Sequence, residues 1–165
     1  MTVPSFQDPI ALRIAEFLVG IGIPVRKGEI NEPTFFPGVK IEFGGLLVDE
    51  QKLTWPGDLL HEAGHLAVLS AEDRPNINGD AGPNGGAELA STAWSFAAIV
   101  HLGMDMTIVF HKGSYQGDEE MMVDNFSAGR YIGVPSLQLY GLTAEPRMSK
   151  KLGIPAYPAM QRWLR

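Results

Sequence analysis

Histidine is scarce in this chain, with four in 165 residues, and two of the four stand four apart at His61 and His65 inside the apolar run Leu59 to Leu69. On an α-helix, residues four apart share a face, so both imidazoles can be turned toward one ion. That arrangement is half of a metal site. Glu62 sits one position along from His61 and is rotated off the ligand row, where its carboxylate reaches a water beside the ion and not the ion itself. This is the position of a general base. The plainer alternative is two polar positions on a half-exposed helix with Glu62 solvated beside them. The surrounding Leu, Ala and Val residues argue against it, because imidazoles buried among them without partners are costly.

The stretch His61-Glu62-Ala63-Gly64-His65 resembles the zincin metallopeptidases at every position their short motif defines. By ordinary composition the three defined residues fall together by chance in roughly one chain of this length in a hundred or fewer. A catalytic zinc commonly has three protein ligands and one open position, so a third ligand must come from elsewhere. The zincins that take a third histidine place it close behind the motif, in His-Glu-x-x-His-x-x-Gly-x-x-His. Val68 and Ala71 occupy those Gly and His positions here, and that subclass does not fit.

Resemblance to the thermolysin-like subclass, the gluzincins, implies a glutamate on a later helix. Glu88 matches that role: it follows a loop, opens a second helix, and is the only carboxylate in the apolar stretch Ala87 to Gly103. An acid in a first helical turn also has a purely electrostatic reason to be there. Asp80, Glu72 and Asp73 are weaker substitutes. The family often adds an acid four residues further on, which hydrogen-bonds a ligand histidine, but Thr92 stands at that position. Asp58, three residues before His61, either replaces it or is simply a helix-start acid. Two imidazoles and a carboxylate suit one zinc ion.

Hydrolysis at such a site also needs a donor for the oxyanion. The candidates are His111, Tyr115, Tyr131 and Arg130. The first choice is His111, followed by Tyr115 in the same glycine-containing segment, where loops commonly carry function. His111 is about equally well read as a surface-loop histidine. His101, near a helix end, reads as a dipole partner.

Several elements must position these groups. Ile10, Ile14, Phe17, Leu18 and Ile21 recur at helical spacing, which predicts a helix from Pro9 to Ile21 ended by Gly20, Gly22 and Pro24. Val39 to Val48 predicts two short strands around Gly44-Gly45. Thr54 and Pro56 mark the start of the motif helix. Arg74 to Gly86 reads as a loop, followed by a helix from about Ala87 to Leu102. On that helix Trp94, Phe96, Ile99 and Val100 are expected in the core, with Ser91, Thr92 and Ser95 facing the site. Thr107 to Phe110 reads as β-like, Asp118 to Phe126 as a helix, and the Gly- and Pro-rich stretch beyond Tyr131 as short turns or helices.

Composition narrows the classes of function. A net charge of −6 and the absence of any Lys/Arg run speak against nucleic acid as a partner. With no cysteine, thiolate ligands and nucleophiles are excluded. Arg13 and Glu16 interrupt the first apolar stretch, unlike a signal peptide, and Glu88 and His101 interrupt the second, unlike a membrane span. No glycine fingerprint for phosphate occurs.

Together these features predict a small α+β zincin-like domain over residues 1–165, cytoplasmic and without a membrane partner. It is expected to hydrolyse a peptide or protein substrate with one zinc ion, with Glu62 as general base. The alternative is a metal-binding regulatory or interaction domain, whose zinc is structural and takes a fourth protein ligand such as His111.

Overall fold

The computed structural model of the chain describes residues 1–79 and 85–165. Among the described residues, six α-helices and a small three-stranded sheet, packed on the first two helices, make a small α+β domain. Helix α1 spans Pro9–Ile21, as its periodicity predicts. The Asp8 carboxylate accepts from the backbone amides of Ile10 and Ala11, Pro9 fills the first turn, and Gly22 ends the helix in the left-handed region. Its buried face is Ala11, Ile14, Ala15 and Leu18.

Strands β1 (Val25–Lys27), β2 (Val39–Glu42) and β3 (Gly45–Val48) form a sheet in the order β1-β3-β2. β2 and β3 are an antiparallel hairpin with Ile41 opposite Leu46, whereas β1 runs parallel to β3. The two short strands expected around Gly44-Gly45 are this hairpin, joined tightly by a turn at Phe43-Gly44, where both residues have positive φ, with Gly45 already in β3. β1 was not predicted: three residues between Pro24 and Gly28 carry too little periodicity to register.

Helix α2, Asp58–Val68, carries the His-Glu-Ala-Gly-His motif, and α3, Gly85–His101, packs against it more extensively than any other element. Thr54 does not cap α2; Gly57 holds that position and offers no side-chain bond. The other end of α2 is secured by distant residues. Arg74 donates to the carbonyls of Leu66 and Leu69, and the Arg165 amide donates to that of Ala67, so carbonyls left open by the helix end find partners. Trp94 and the start of Trp163's peptide unit add a further tie, with the indole N–H donating to the Trp163 carbonyl at 2.9 Å.

Trp94, Phe96 and Ile99 are buried as expected, but Val100 is not: at 43% exposure it lies on the outer face of α3. The stretch Thr107 to Phe110 is not a strand. Asp105 accepts from both the amide and the hydroxyl of Thr107, which winds Met106–Ile108 into one tight helical turn. Helices α4 (Glu119–Ser127), α5 (Val134–Leu139) and α6 (Pro146–Leu152) complete the chain. Among the described residues no helix is long and apolar enough to cross a membrane.

The buried Tyr157 hydroxyl donates to the Ala93 carbonyl at 2.8 Å, and burial, aided by neighbouring Tyr131, pushes its pKa up. The unfolded chain then loses this proton first as pH rises above about 10, so stability present below that pH declines by about 1.4 kcal/mol for each further unit. Denaturant titrations between pH 9 and 12 check this, and Tyr157→Phe should flatten the slope.

Candidate metal centre

The α2–α3 crossing brings together three of the predicted residues. His61 Nε2 and His65 Nε2 lie 3.2 Å apart. Glu88 Oε1 is 3.1 Å from the first and Oε2 is 3.2 Å from the second. Among the described residues this is the one group whose ligand atoms converge closely enough for a shared cation. Ligands at about 2.0–2.1 Å from a tetrahedral zinc stand roughly 3.3 Å from one another, which matches these separations. Protons on the imidazoles can bridge these atoms by hydrogen bonds to Glu88, and with both Nε2 nitrogens unprotonated the same three atoms offer lone pairs to one cation, so the donor set fits zinc chemically.

The helices reach this spacing through Gly64 and Ser91. A Cβ on Gly64 would lie 2.4 Å from Ser91 Oγ and 2.8 Å from the Ser91 carbonyl oxygen, so glycine here permits the close approach. Ser91 Oγ donates to the His61 carbonyl at 2.8 Å, pinning the ligand turn of α2 to α3 one turn after Glu88. The sequence placed Ser91 on the site-facing side of its helix, and the structure keeps it there, but the close approach at the buried Gly64 was not identified from the sequence. A glycine inside a helix, where it costs about 1 kcal/mol relative to alanine, was the available signal.

The His61 ring is enclosed by others: the Phe36 ring meets it edge-on at 5.0 Å, and the Tyr115 hydroxyl lies 3.2 Å from its Nδ1. Tyr115, considered from the sequence as an oxyanion donor, thus partners the outer nitrogen of His61, the place for which the sequence offered Asp58. Thr92 instead donates to the Glu88 carbonyl, and Ser95 to that of Thr92. Desolvation pushes Tyr115 up to about 12, so it remains a phenol at any working pH. The Glu88 carboxyl, flanked by His61 and then His65, is held well below the usual carboxylate range. Its side chain is 49% exposed, so the ligand cluster opens to solvent on that side.

The remaining candidates lie elsewhere. His111 is buried and both its ring nitrogens are engaged. Nδ1 accepts the Gly113 amide at 3.1 Å, which leaves the proton on Nε2, and this nitrogen bonds Asp58 Oδ1 at 2.7 Å. It is thus placed neither as an oxyanion donor nor as a fourth ligand, and Asp58 serves His111 and not a ligand histidine. Tyr131 packs among Phe96, Phe126 and Tyr157, and Arg130 is exposed and bonded to Asn125. His101 contacts the rings of Phe17 and Trp163 in the last turn of α3. Glu72 and Asp73 are outside the cluster, and Asp80 falls outside the described residues. Glu62 is half-buried on α2, one position beyond His61. No family model, curated protein or solved structure matches this chain.

Proposed function

We propose that the protein is a zinc-dependent hydrolase of peptides or related amides, with His61, His65 and Glu88 as metal ligands and Glu62 as general base. The observation that carries this reading is the three-atom convergence of the two Nε2 nitrogens with the Glu88 carboxylate on a solvent-facing side of the α2–α3 crossing. Three protein ligands with an open position is the catalytic pattern, whereas a structural zinc takes four. With both nitrogens of His111 engaged, the fourth ligand suggested by the sequence is withdrawn.

Bound zinc supplies Lewis acidity and makes water acidic enough to attack a carbonyl at neutral pH. Glu62, turned about 100° around α2 from His61, accepts the proton of the attacking water and returns it to the leaving amine. Tyr115 accepts from Nδ1 of His61 and so fixes the tautomer that presents Nε2 to the ligand position. Phe36 blocks one face of the same imidazole and limits its rotation.

Glu62→Gln separates the enzymatic reading from a purely metal-binding one. The variant should retain one equivalent of zinc by elemental analysis while hydrolysis of a peptide library falls by about 100-fold or more. Turnover that survives the substitution removes Glu62 as base. A wild-type protein that binds zinc yet cleaves nothing in the library supports the regulatory alternative.

A further inference from the structure

The buried Asp58–His111 pair takes no part in the chemistry above, yet it stands beside the metal ligands. Asp58 and His61 are three residues apart on α2 and share a face. The segment after Phe110 contacts that face twice: His111 Nε2 bonds Asp58 at 2.7 Å, and the Tyr115 hydroxyl bonds His61 Nδ1 at 3.2 Å. Between the two contacts the chain is tightly wound. The Ser114 amide and hydroxyl both donate to the His111 carbonyl, at 2.9 and 2.6 Å. Trp55 stacks on the His111 ring at 4.6 Å, and a Cβ on Gly113 would lie 2.6 Å from the Trp55 indole nitrogen.

Two features of this loop are unfavourable in isolation. Tyr115 has φ of 54°, a left-handed conformation that costs a non-glycine residue about 1 kcal/mol or more. Asp58 is 1% exposed, and its Oδ2 has no hydrogen-bond partner. Burial pushes the Asp58 carboxyl up, against the pull of His111. A buried carboxylate held by a single hydrogen bond from a neutral imidazole gives little net stability over an apolar pair, although breaking that bond is expensive. What the pair does provide is a fixed position for the loop, and a strained backbone persists only where its surroundings over-determine it.

We propose that Asp58 and His111 are positioning residues of the metal centre: their hydrogen bond anchors the 111–115 loop on α2 so that the Tyr115 hydroxyl meets Nδ1 of His61. The inference rests on the reading of His61 as a metal ligand. The path runs from Asp58 through His111 and the wound turn to Tyr115, and from there to the imidazole.

Competition titration of Zn2+ against a chromophoric chelator, with all variants held well below their melting temperatures, tests this. Tyr115→Phe and His111→Ala should each weaken Zn2+ binding by about 10- to 100-fold. Because both act through one bond to His61, the double variant should lie within about 3-fold of Tyr115→Phe alone, whereas independent effects would multiply. Asp58→Asn, whose carbonyl oxygen can accept the same bond from His111, should keep the affinity within about 3-fold of wild type. The visible spectrum of the Co2+ form should shift in His111→Ala as it does in Tyr115→Phe. If His111→Ala does not fold, His111→Gln takes its place, with an expected loss of about 10-fold.

Losses that multiply in the double variant, or a His111 variant that binds Zn2+ like wild type, overturn the positioning role. A wild-type protein that takes up no Zn2+ overturns the metal reading itself, so the two failures are distinguishable.

Discussion

Glu88→Ala should weaken zinc binding by roughly 10²- to 10³-fold. Structural zinc sites are worth about 10–16 kcal/mol over four ligands, which leaves on the order of 3 kcal/mol for each. Glu88 is also the only anion of the triad, and each of its oxygens faces a different histidine. Removing it leaves two imidazole nitrogens 3.2 Å apart with no countercharge for a dication. Equilibrium dialysis or chelator competition reads the loss directly. The effect should also appear in unfolding: zinc at about 100 times its dissociation constant adds roughly 2.7 kcal/mol to the wild type and much less to the variant. Glu88→Gln should behave similarly, because the amide keeps the shape and loses the charge. Unchanged affinity in Glu88→Ala would mean that the third ligand lies elsewhere in the chain.

Gly64→Ala should be the most damaging single methyl group in the α2–α3 interface. Alanine is the better helix former by about 1 kcal/mol, so on an exposed helix the change would stabilise. Here the new Cβ would sit 2.8 Å from a backbone carbonyl oxygen and 3.1 Å from the Cα of Ser91, so rotation of one side chain cannot relieve the contact. The helices must part or shift. Overpacking of this kind costs about 1–3 kcal/mol and sometimes more, which exceeds the propensity gain. The expected result is a melting temperature lower by roughly 5 °C.

The displacement has a second consequence, because Ser91 lies three residues after Glu88 on α3. Relief of the clash carries Glu88 away from His61 and His65, and breaks the bond from Ser91 to the His61 carbonyl at 2.8 Å. Zinc affinity should fall with stability. A Gly64→Ala protein that melts higher than wild type and binds zinc equally well would show that the helices do not need this approach.

Local patterning was sufficient for much of the frame. The bounds of α1 follow from its periodicity, the Asp8 cap and the terminal Gly22, all encoded within fifteen residues. Where local and distant forces disagree, the sequence misleads. Thr54 has the chemistry of a cap but does not close on α2, and the β-branched run at Thr107 to Phe110 yields to the Asp105 side chain. Val100 is apolar and faces outward because α3 buries a different arc of its surface.

The site divides along the same line. Helical spacing alone turns His61 and His65 to one face and sets Glu62 beside them, since 3.6 residues per turn is a local property. Whether an acid twenty-odd residues later meets those imidazoles depends on how closely α2 and α3 cross, and that distance is fixed by packing at Gly64 and Ser91. The role of Tyr115 is likewise tertiary. Its hydroxyl reaches His61 only because the loop from His111 docks on α2 beside Asp58, a contact 53 positions apart in the chain. The sequence by itself determined that His61 and His65 share one face of a helix with Glu62 beside them. Only the tertiary structure decided that Glu88 meets both imidazoles and that Tyr115, not Asp58, takes the outer nitrogen of His61, because both depend on long-range packing that no local pattern encodes.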